Sequence, residues 1–393
     1  MSDDPPQGDD LSKPTDARPA PPEDAQGAAG AGSARARRVT LGDMAESLGV
    51  STATVSLALR DSPLVAAKTR SRIKAHARQV GYIYNRSAAA LRTARSNMVA
   101  VAVHDILNPY FAEVFRALEE ALGRENQVVL ICNHRDDPDR QRRFIDSVLQ
   151  HRIDGLILSV AVGTTAQEID ALAETGVPVT LICRDLEGAR VPVVRGDDFA
   201  GGRLVTGHLI AQGHRRIAMI GGRRESSAGR ARAAGWRAAL ADAGLDPAAQ
   251  IDIPEAMTQA DGRAVVPRLL AARPRPTALF AFNDLIAQGL YTGLRRAGLV
   301  PGRDMAVAGY DDTDAAEGCS PALTSVWNGA EEIGRRAAEL ILRQVAGAPV
   351  APERLLIAPR LCVRDSTPPP PAGETDRPAT ATPAAAAVRD RRS

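Results

Sequence analysis

Side chains suited to binding chemistry gather in two parts of this 393-residue sequence. Between Arg35 and Arg95 stand twelve lysines and arginines against three acids (Asp43, Glu46, Asp61), an excess of nine positive charges in a chain whose net charge is only +2. A compact basic segment on an otherwise acidic chain is the electrostatic footprint of a nucleic-acid binder, although charge alone would also fit a merely solvated basic face. Farther on, polar residues cluster where apolar runs end: Arg230 and Arg232 after RIAMIGG, Asn283-Asp284 after TALFAF, and Asp311-Asp312 after AVAGY. A guanidinium fork beside a carboxylate and an amide is chemistry for holding hydroxyls or an anion. A lone member of such a set reads equally well as a surface salt bridge or a helix cap; three strand ends presenting them argue for a site.

Catalytic chemistry is not indicated. The sequence holds no G-x-G-x-x-G, G-x-x-x-x-G-K-[ST] or G-x-S-x-G, and His104, His134, His208 and His214 have no metal spacing. Cys132, Cys183, Cys319 and Cys362 lie far apart with no C-x-x-C, which argues against a disulfide framework or a zinc site and reads as core cysteine. No cofactor is expected. The start, MSDDPPQGDD, lacks a cationic stretch followed by an apolar run, and no uninterrupted apolar stretch approaches 18 residues, so the expected location is the cytoplasm, on the nucleoid, with no membrane partner.

The basic segment must be positioned by helices. Thr40 with Asp43 three residues on forms a capping box, and Leu41, Met44, Ala45 and Leu48 recur at helical spacing. Gly49 permits a left-handed turn, Ser51 can cap a second helix, and Val55 and Leu59 supply its apolar stripe. Small Ala45, turning Gly49 and plugging Val55 are the packing logic of a helix-turn-helix. A structural helical hairpin would share the packing and leave the charge unexplained. With the second helix in a major groove, Thr52, Ala53, Ser56, Leu57 and Arg60 are the outward candidates for base readout, while the hydroxyls of Ser51, Thr54 and Ser56 suit phosphate contact. Arg60 can fork onto a guanine or hold a phosphate. A third helix is predicted from Ala67 to Val80, then an Ala-rich stretch capped by Asn85 with Leu91 as its one large apolar residue, too short to be helical alone.

From Asn97 strand and helix patterns alternate in two successive sets, the rhythm of parallel sheets covered on both faces, with a cleft between two lobes. The predicted organisation is a disordered tail (1–38), a helix-turn-helix domain (39–84), a hinge (85–96), a two-lobed effector and dimerisation domain (97–365) and a disordered Pro/Ala-rich tail (366–393).

The pattern VTL-x-D-x-A-x-x-x-GVS-x-x-TVS, then GY-x-x-N-x-x-A, matched from Val39 to Leu91, resembles the LacI/GalR family of bacterial transcription regulators; NPYF, HRIDGLIL, GHRRIAMIGG, FNDLIAQGL and GYDDT extend the likeness to Asp365. The resemblance implies an α/β fold: a three-helix headpiece with a hinge helix, followed by a periplasmic-binding-protein-like core. It implies a homodimer on a near-palindromic operator, Thr40, Thr69 and Tyr82 among the DNA contacts, Leu91 as a minor-groove wedge, and control by a small effector. That effector would be a sugar or sugar derivative, with nucleosides and purines as the alternative. By the same alignment Phe111, Arg184, Arg232, Asn283 and Asp311 fall at the effector pocket, and Arg230 accompanies Arg232. Two positions depart from the family. Leu57 replaces a base-reading arginine, where it either meets a thymine methyl or packs on a neighbour, and Tyr84 precedes Asn85 where proline is usual. A secreted sugar receptor would share the core and lack the basic segment.

Leu91→Ala is expected to weaken specific DNA binding more than non-specific binding, because an inserted wedge contributes only where the duplex kinks. Equal losses on operator and random DNA would remove the wedge role.

Overall fold

The computed structural model describes residues 39–83 and 95–370; the predicted N-terminal tail, the part of the predicted C-terminal tail beyond residue 370, and the hinge positions Asn85 and Leu91 lie outside the described residues. The chain divides at Asn85 into two compact units.

The first unit holds α1 (Leu41–Leu48), α2 (Thr52–Leu59) and α3 (Ala67–Gln79). The capping box forms as the spacing requires: Asp43 N donates to Thr40 Oγ1 at 3.2 Å and Thr40 N to Asp43 Oδ2 at 2.8 Å. Gly49 closes α1 in the left-handed region at φ 64°, which turns the chain into α2. Met44, Ala45, Val55, Ala58, Val65, Ile73 and Ala77 form one small core.

In the second unit the first lobe contains β1 (Met98–Val103), α4 (Pro109–Arg124), β2 (Val128–Asn133), α5 (Pro138–Gln150), β3 (Gly155–Leu158), α6 (Ala166–Glu174), β4 (Val179–Ile182) and β5 (Val193–Gly196). The second lobe follows with α7 (Asp198–Ala211), β6 (Ile217–Ile220), α8 (Ser227–Asp242), β7 (Asp252–Ile253), α9 (Gln259–Ala264), α10 (Val266–Ala271), β8 (Ala278–Ala281), α11 (Asp284–Arg296), β9 (Ala306–Ala308), α12 (Asp314–Glu317) and β10 (Ser325–Trp327). The chain then returns through α13 (Ala330–Val345) and β11 (Arg354–Ile357) before β12 (Arg360–Cys362). A six-stranded parallel sheet in the order β11-β5-β4-β3-β1-β2 centres the first lobe, and a four-stranded parallel sheet, β7-β6-β8-β9, the second. The polypeptide therefore passes between lobes three times, after β5, after β10 and after β11.

Helices on both faces explain why the strands read as continuous apolar runs. Along β1, Val99, Val101 and Val103 enter the core shared with α4 and α13, while Ala100 and Ala102 enter the core on the other face. Along β8, Leu279 and Ala281 face one core and Ala278 and Phe280 the other. The four cysteines form no disulfide, and each is half-buried rather than interior. Among the described residues no helix is long and apolar enough to cross a membrane.

The predicted tail beginning at Ser366 is corrected by the structure. Ser366 and Thr367 are buried. Val307 N donates to Ser366 O at 2.9 Å, Ser366 Oγ to Val307 O at 2.6 Å, and Thr324 N to Ser366 Oγ at 2.8 Å. The reason is the sheet edge: β9 ends the second sheet, and its outward backbone groups need partners that Ser366 supplies. Pro368 O lies 3.0 Å from His214 Nε2, whose other nitrogen meets Thr277 Oγ1 at 3.0 Å. Truncation after Asp365 is expected to lower stability by about 2–4 kcal/mol relative to truncation after Pro370, since several buried groups lose partners. Coincident urea midpoints for the two chains would contradict this.

Candidate functional site

In the headpiece, Ser51 Oγ accepts from Thr54 N at 3.1 Å and meets Thr54 Oγ1 at 2.9 Å, fixing the start of α2. Thr52, Ala53 and Arg60 are exposed, and Thr54, Leu57, Thr69 and Tyr82 are half-buried. Leu57 and Tyr82 pack against the headpiece core, so Leu57 has the packing contact that was one of its two open roles. Ser56 is corrected: it is buried at 4% exposure, its Oγ without a hydrogen-bond partner, so it is not an outward readout residue. It follows Val55 on the inner side of an eight-residue helix whose buried set is Val55, Ser56 and Ala58. Two cations are spent on the α2–α3 loop. Arg70 Nη1 donates to Ser62 O and Val65 O, each at 2.9 Å, and Lys74 pairs with Asp61.

A cavity of about 480 Å³ lies between the lobes of the second unit. Its walls are the carboxyl ends of parallel strands: His104 follows β1, Cys183 and Arg184 follow β4, Arg223 follows β6, Phe282 and Asn283 follow β8, and Asp311 follows β9. Four lining residues, Arg135, Asp136, Cys183 and Asp311, hold positive φ (55°, 59°, 61° and 104°), a conformation costly for residues with a Cβ and frequent where function constrains the backbone.

Arg232 is the centre of the floor. Its Nε donates to Asp198 Oδ1 at 2.8 Å and its Nη1 to Phe282 O at 2.5 Å, while Asp311 Oδ1 lies 3.8 Å away. The guanidinium stands 3.5 Å from the Tyr310 ring centroid and 4.3 Å from that of Phe282, a double cation–π seat. Burial alone would lower its basicity; Asp198, Tyr310 and Asp311 together outweigh that and raise it. This pairing depends on α7 and α8 lying close together. A Cβ at Gly202 would collide with Arg232 O, and one at Gly235 with Phe199 O.

Asp311 joins the lobes. Asn108 Nδ2, at the start of α4 in the first lobe, donates to Asp311 Oδ2 at 3.0 Å, and Asn328 Nδ2, on a crossing segment, lies 3.4 Å from Oδ1. Burial raises the Asp311 carboxyl to about 6, with Arg232 and Asn108 pulling the other way. Behind it Asp284 accepts from Thr313 N, Thr313 Oγ1 and Ser325 Oγ; burial and then the Asp311 charge raise it to about 7. On the facing wall Arg184 forks onto Asp136 at 2.6 and 3.2 Å. Burial pushes Asp136 up, yet Arg184 prevails and holds it at about 2. His104 packs edge-on to Phe111 with centroids 4.8 Å apart and lies 3.1 Å from Ser159 Oγ; burial, then Arg184, depress its basicity well below the usual range.

The cavity thus brings together Phe111, Arg184, Arg232, Asn283 and Asp311. Arg230 is corrected: it is exposed, lines a different cavity, and donates to Arg224 O and Glu225 O at 3.2 and 3.0 Å. Residues two apart on a helix point roughly 200° apart, so Arg230 and Arg232 cannot share a face. Asn108, Asp136, Asp198 and Arg223 line the cavity and were not singled out from sequence. Asn108 carried a signal, as a cap immediately before Pro109, but one that marks a helix start and not a ligand site.

Residues 40–85 match the family description "Bacterial regulatory proteins, lacI family", and residues 206–367 match "Periplasmic binding protein-like domain". The chain is 30% identical over 334 residues to the HTH-type transcriptional regulator DegA of Bacillus subtilis (strain 168), covering 84% of this chain and 99% of that protein. It is also similar to the transcriptional regulator CelR in complex with cellobiose (31% identity, TM-score 0.63, 84% of this chain and 100% of that one). A third likeness is to the lac repressor dimer bound to operator and the anti-inducer ONPF (27% identity, TM-score 0.74, again 84% and 100%). The chain belongs to the lacI family of bacterial regulatory proteins, transcription regulators rather than enzymes.

Proposed function

We propose that this protein is a cytoplasmic, homodimeric regulator that binds a near-palindromic operator through α2 and changes its grip when a sugar or sugar derivative occupies the interlobe cavity. The observation that carries the reading is the cavity itself: about 480 Å³, walled by both lobes, in a chain that also holds a basic helix-turn-helix unit. Thr52, Ala53 and Arg60 are the assigned base-facing positions, Ser51 and Thr54 the phosphate-facing ones, and Leu91 the minor-groove wedge. Asp311, Asn283 and the Arg232 guanidinium offer acceptor and donor groups that suit vicinal hydroxyls, and the neighbour solved with cellobiose supports a sugar.

A ligand touching both walls favours the lobes in contact, and by linkage DNA and ligand change one another's affinity equally, typically by about 1–3 kcal/mol. Genome-wide selection of fragments by the purified protein, repeated with sugars, sugar phosphates and nucleosides, tests the reading. One near-palindrome whose occupancy shifts with a sugar is expected, and a shift with nucleosides alone would replace the effector class. Salt-sensitive, sequence-independent binding as the sole result would end the operator reading.

The pocket carboxylates also predict a pH signature. Asp311, raised to about 6 by burial, favours the folded state when protonated: its contribution is full below its unfolded value near 3.8 and is lost as pH rises through about 6. Asp311→Asn is expected to flatten the fall in stability between pH 4 and 7 by on the order of 1–3 kcal/mol, with Asp284 and Glu113 supplying the slope that remains. Parallel stability curves for the two proteins would contradict the assignment.

A further inference from the structure

A second cavity, of about 560 Å³, opens at the lobe boundary, lined among others by Asp185, Arg195, Ser227, Arg230 and Arg354. Chain neighbours divide between the two cavities. Arg184, Gly196 and Ala228 line the interlobe cleft, while Asp185, Arg195 and Ser227 line the second space. On a strand such as β5 adjacent side chains point to opposite faces, so a single layer of backbone separates the two.

The second cavity holds one cationic donor that the protein leaves without a hydrogen bond, on Arg195, whereas both Nη atoms of Arg354 donate to the carbonyls of Pro352, Leu186 and Ala189. Arg195 Nε is buried without a hydrogen-bond partner; the nearest carboxylate, Asp185 Oδ2, is 3.9 Å from it, beyond hydrogen-bond length. Arg195 Nη1 is 3.7 Å from Asp198 Oδ2 and donates at 3.2 Å to Gly196 O. Arg354 Nε stands 3.4 Å from Asp185 Oδ1, an atom itself without a hydrogen bond. Arg230 reaches only backbone carbonyls. Two carboxylates, half-buried Asp185 and exposed Glu187, thus share the cavity with three guanidinium groups, beside the positive end of the 16-residue helix α8. The two sides belong to different lobes: Arg195 and Arg354 lie on β5 and β11, Ser227 and Arg230 on α8.

We propose that this cavity is a second ligand site, separate from the effector cleft, that takes the phosphate group of inorganic phosphate or of a small phosphate monoester. Its oxygens accept from Arg195 and Arg354 on one lobe and from Arg230 on the other. Arg195 also faces Asp198, the partner of Arg232, so occupancy reaches the floor of the effector cleft through one side chain. The chemistry is that of bidentate arginine on an oxyanion.

Calorimetric titration of the full chain with inorganic phosphate, and in a second arm with glycerol 3-phosphate, at constant ionic strength against chloride, tests the proposal. Saturable binding of at least one is expected, and the stronger of the two identifies the free or the esterified form. Arg195→Gln and Arg230→Gln should each weaken it about tenfold, the loss of one charge-assisted hydrogen bond. Arg223→Gln, in the effector cleft, should leave it unchanged. Arg230 is exposed, so its variant keeps the test intact if Arg195→Gln does not fold. Absence of saturable binding for both anions, affinity unchanged in Arg230→Gln, or loss of binding in Arg223→Gln would overturn the site.

Discussion

The buried pair of Asp198 and Arg232 is the contact on which the cleft depends. Both side chains are nearly inaccessible, at 3% and 7% exposure, and they lie 2.8 Å apart. Removing either would strand a charge in a low-dielectric interior, a loss of about 3–5 kcal/mol in comparable sites. The pair ties α7 to α8, and Arg232 carries the connection onward to the backbone at Phe282, where β8 ends, and to the ring of Tyr310, before Asp311. Two strand ends of the second lobe, those of β8 and β9, are therefore referred to one guanidinium.

Around that fixed floor the two lobes hold each other lightly. Each has its own cores on both faces of its sheet, whereas polar contacts across the cleft include Asn108 with Asp311, Asp185 N donating to Ser227 Oγ at 2.9 Å, and Arg223 with Asp136 at 3.9 Å. Cores of this density resist deformation, so motion is directed to the boundary and to the three crossing segments. A ligand competing for or adding to a few hydrogen bonds is then comparable in energy to what holds the lobes together. That balance makes the cavity suitable for regulation.

Much was legible in the chain. The headpiece follows from Thr40, Asp43, Gly49 and Ser51, whose capping and turning are local events decided within a few residues. The parallel sheets follow from apolar runs, and the placement of Asn283 and Asp311 around one cavity follows from their position after strands. Ser366 to Pro370 were misread because their composition suits disorder; their order comes from the unpaired edge of β9, formed by residues about sixty positions away.

The sequence by itself determined the elements, their order, the basic headpiece and the strand ends at which a ligand can sit, because these depend on short-range periodicity and capping. Tertiary structure alone decided which side of an element meets the cavity. It chose Arg232 over Arg230, turned Ser56 inward, brought Asn108 of the first lobe to Asp311 of the second, and set Asp198 under Arg232. A helix rotates its side chains by roughly 100° per residue, so spacing shows which residues cannot face together, while only the packing of neighbouring elements fixes the face turned inward.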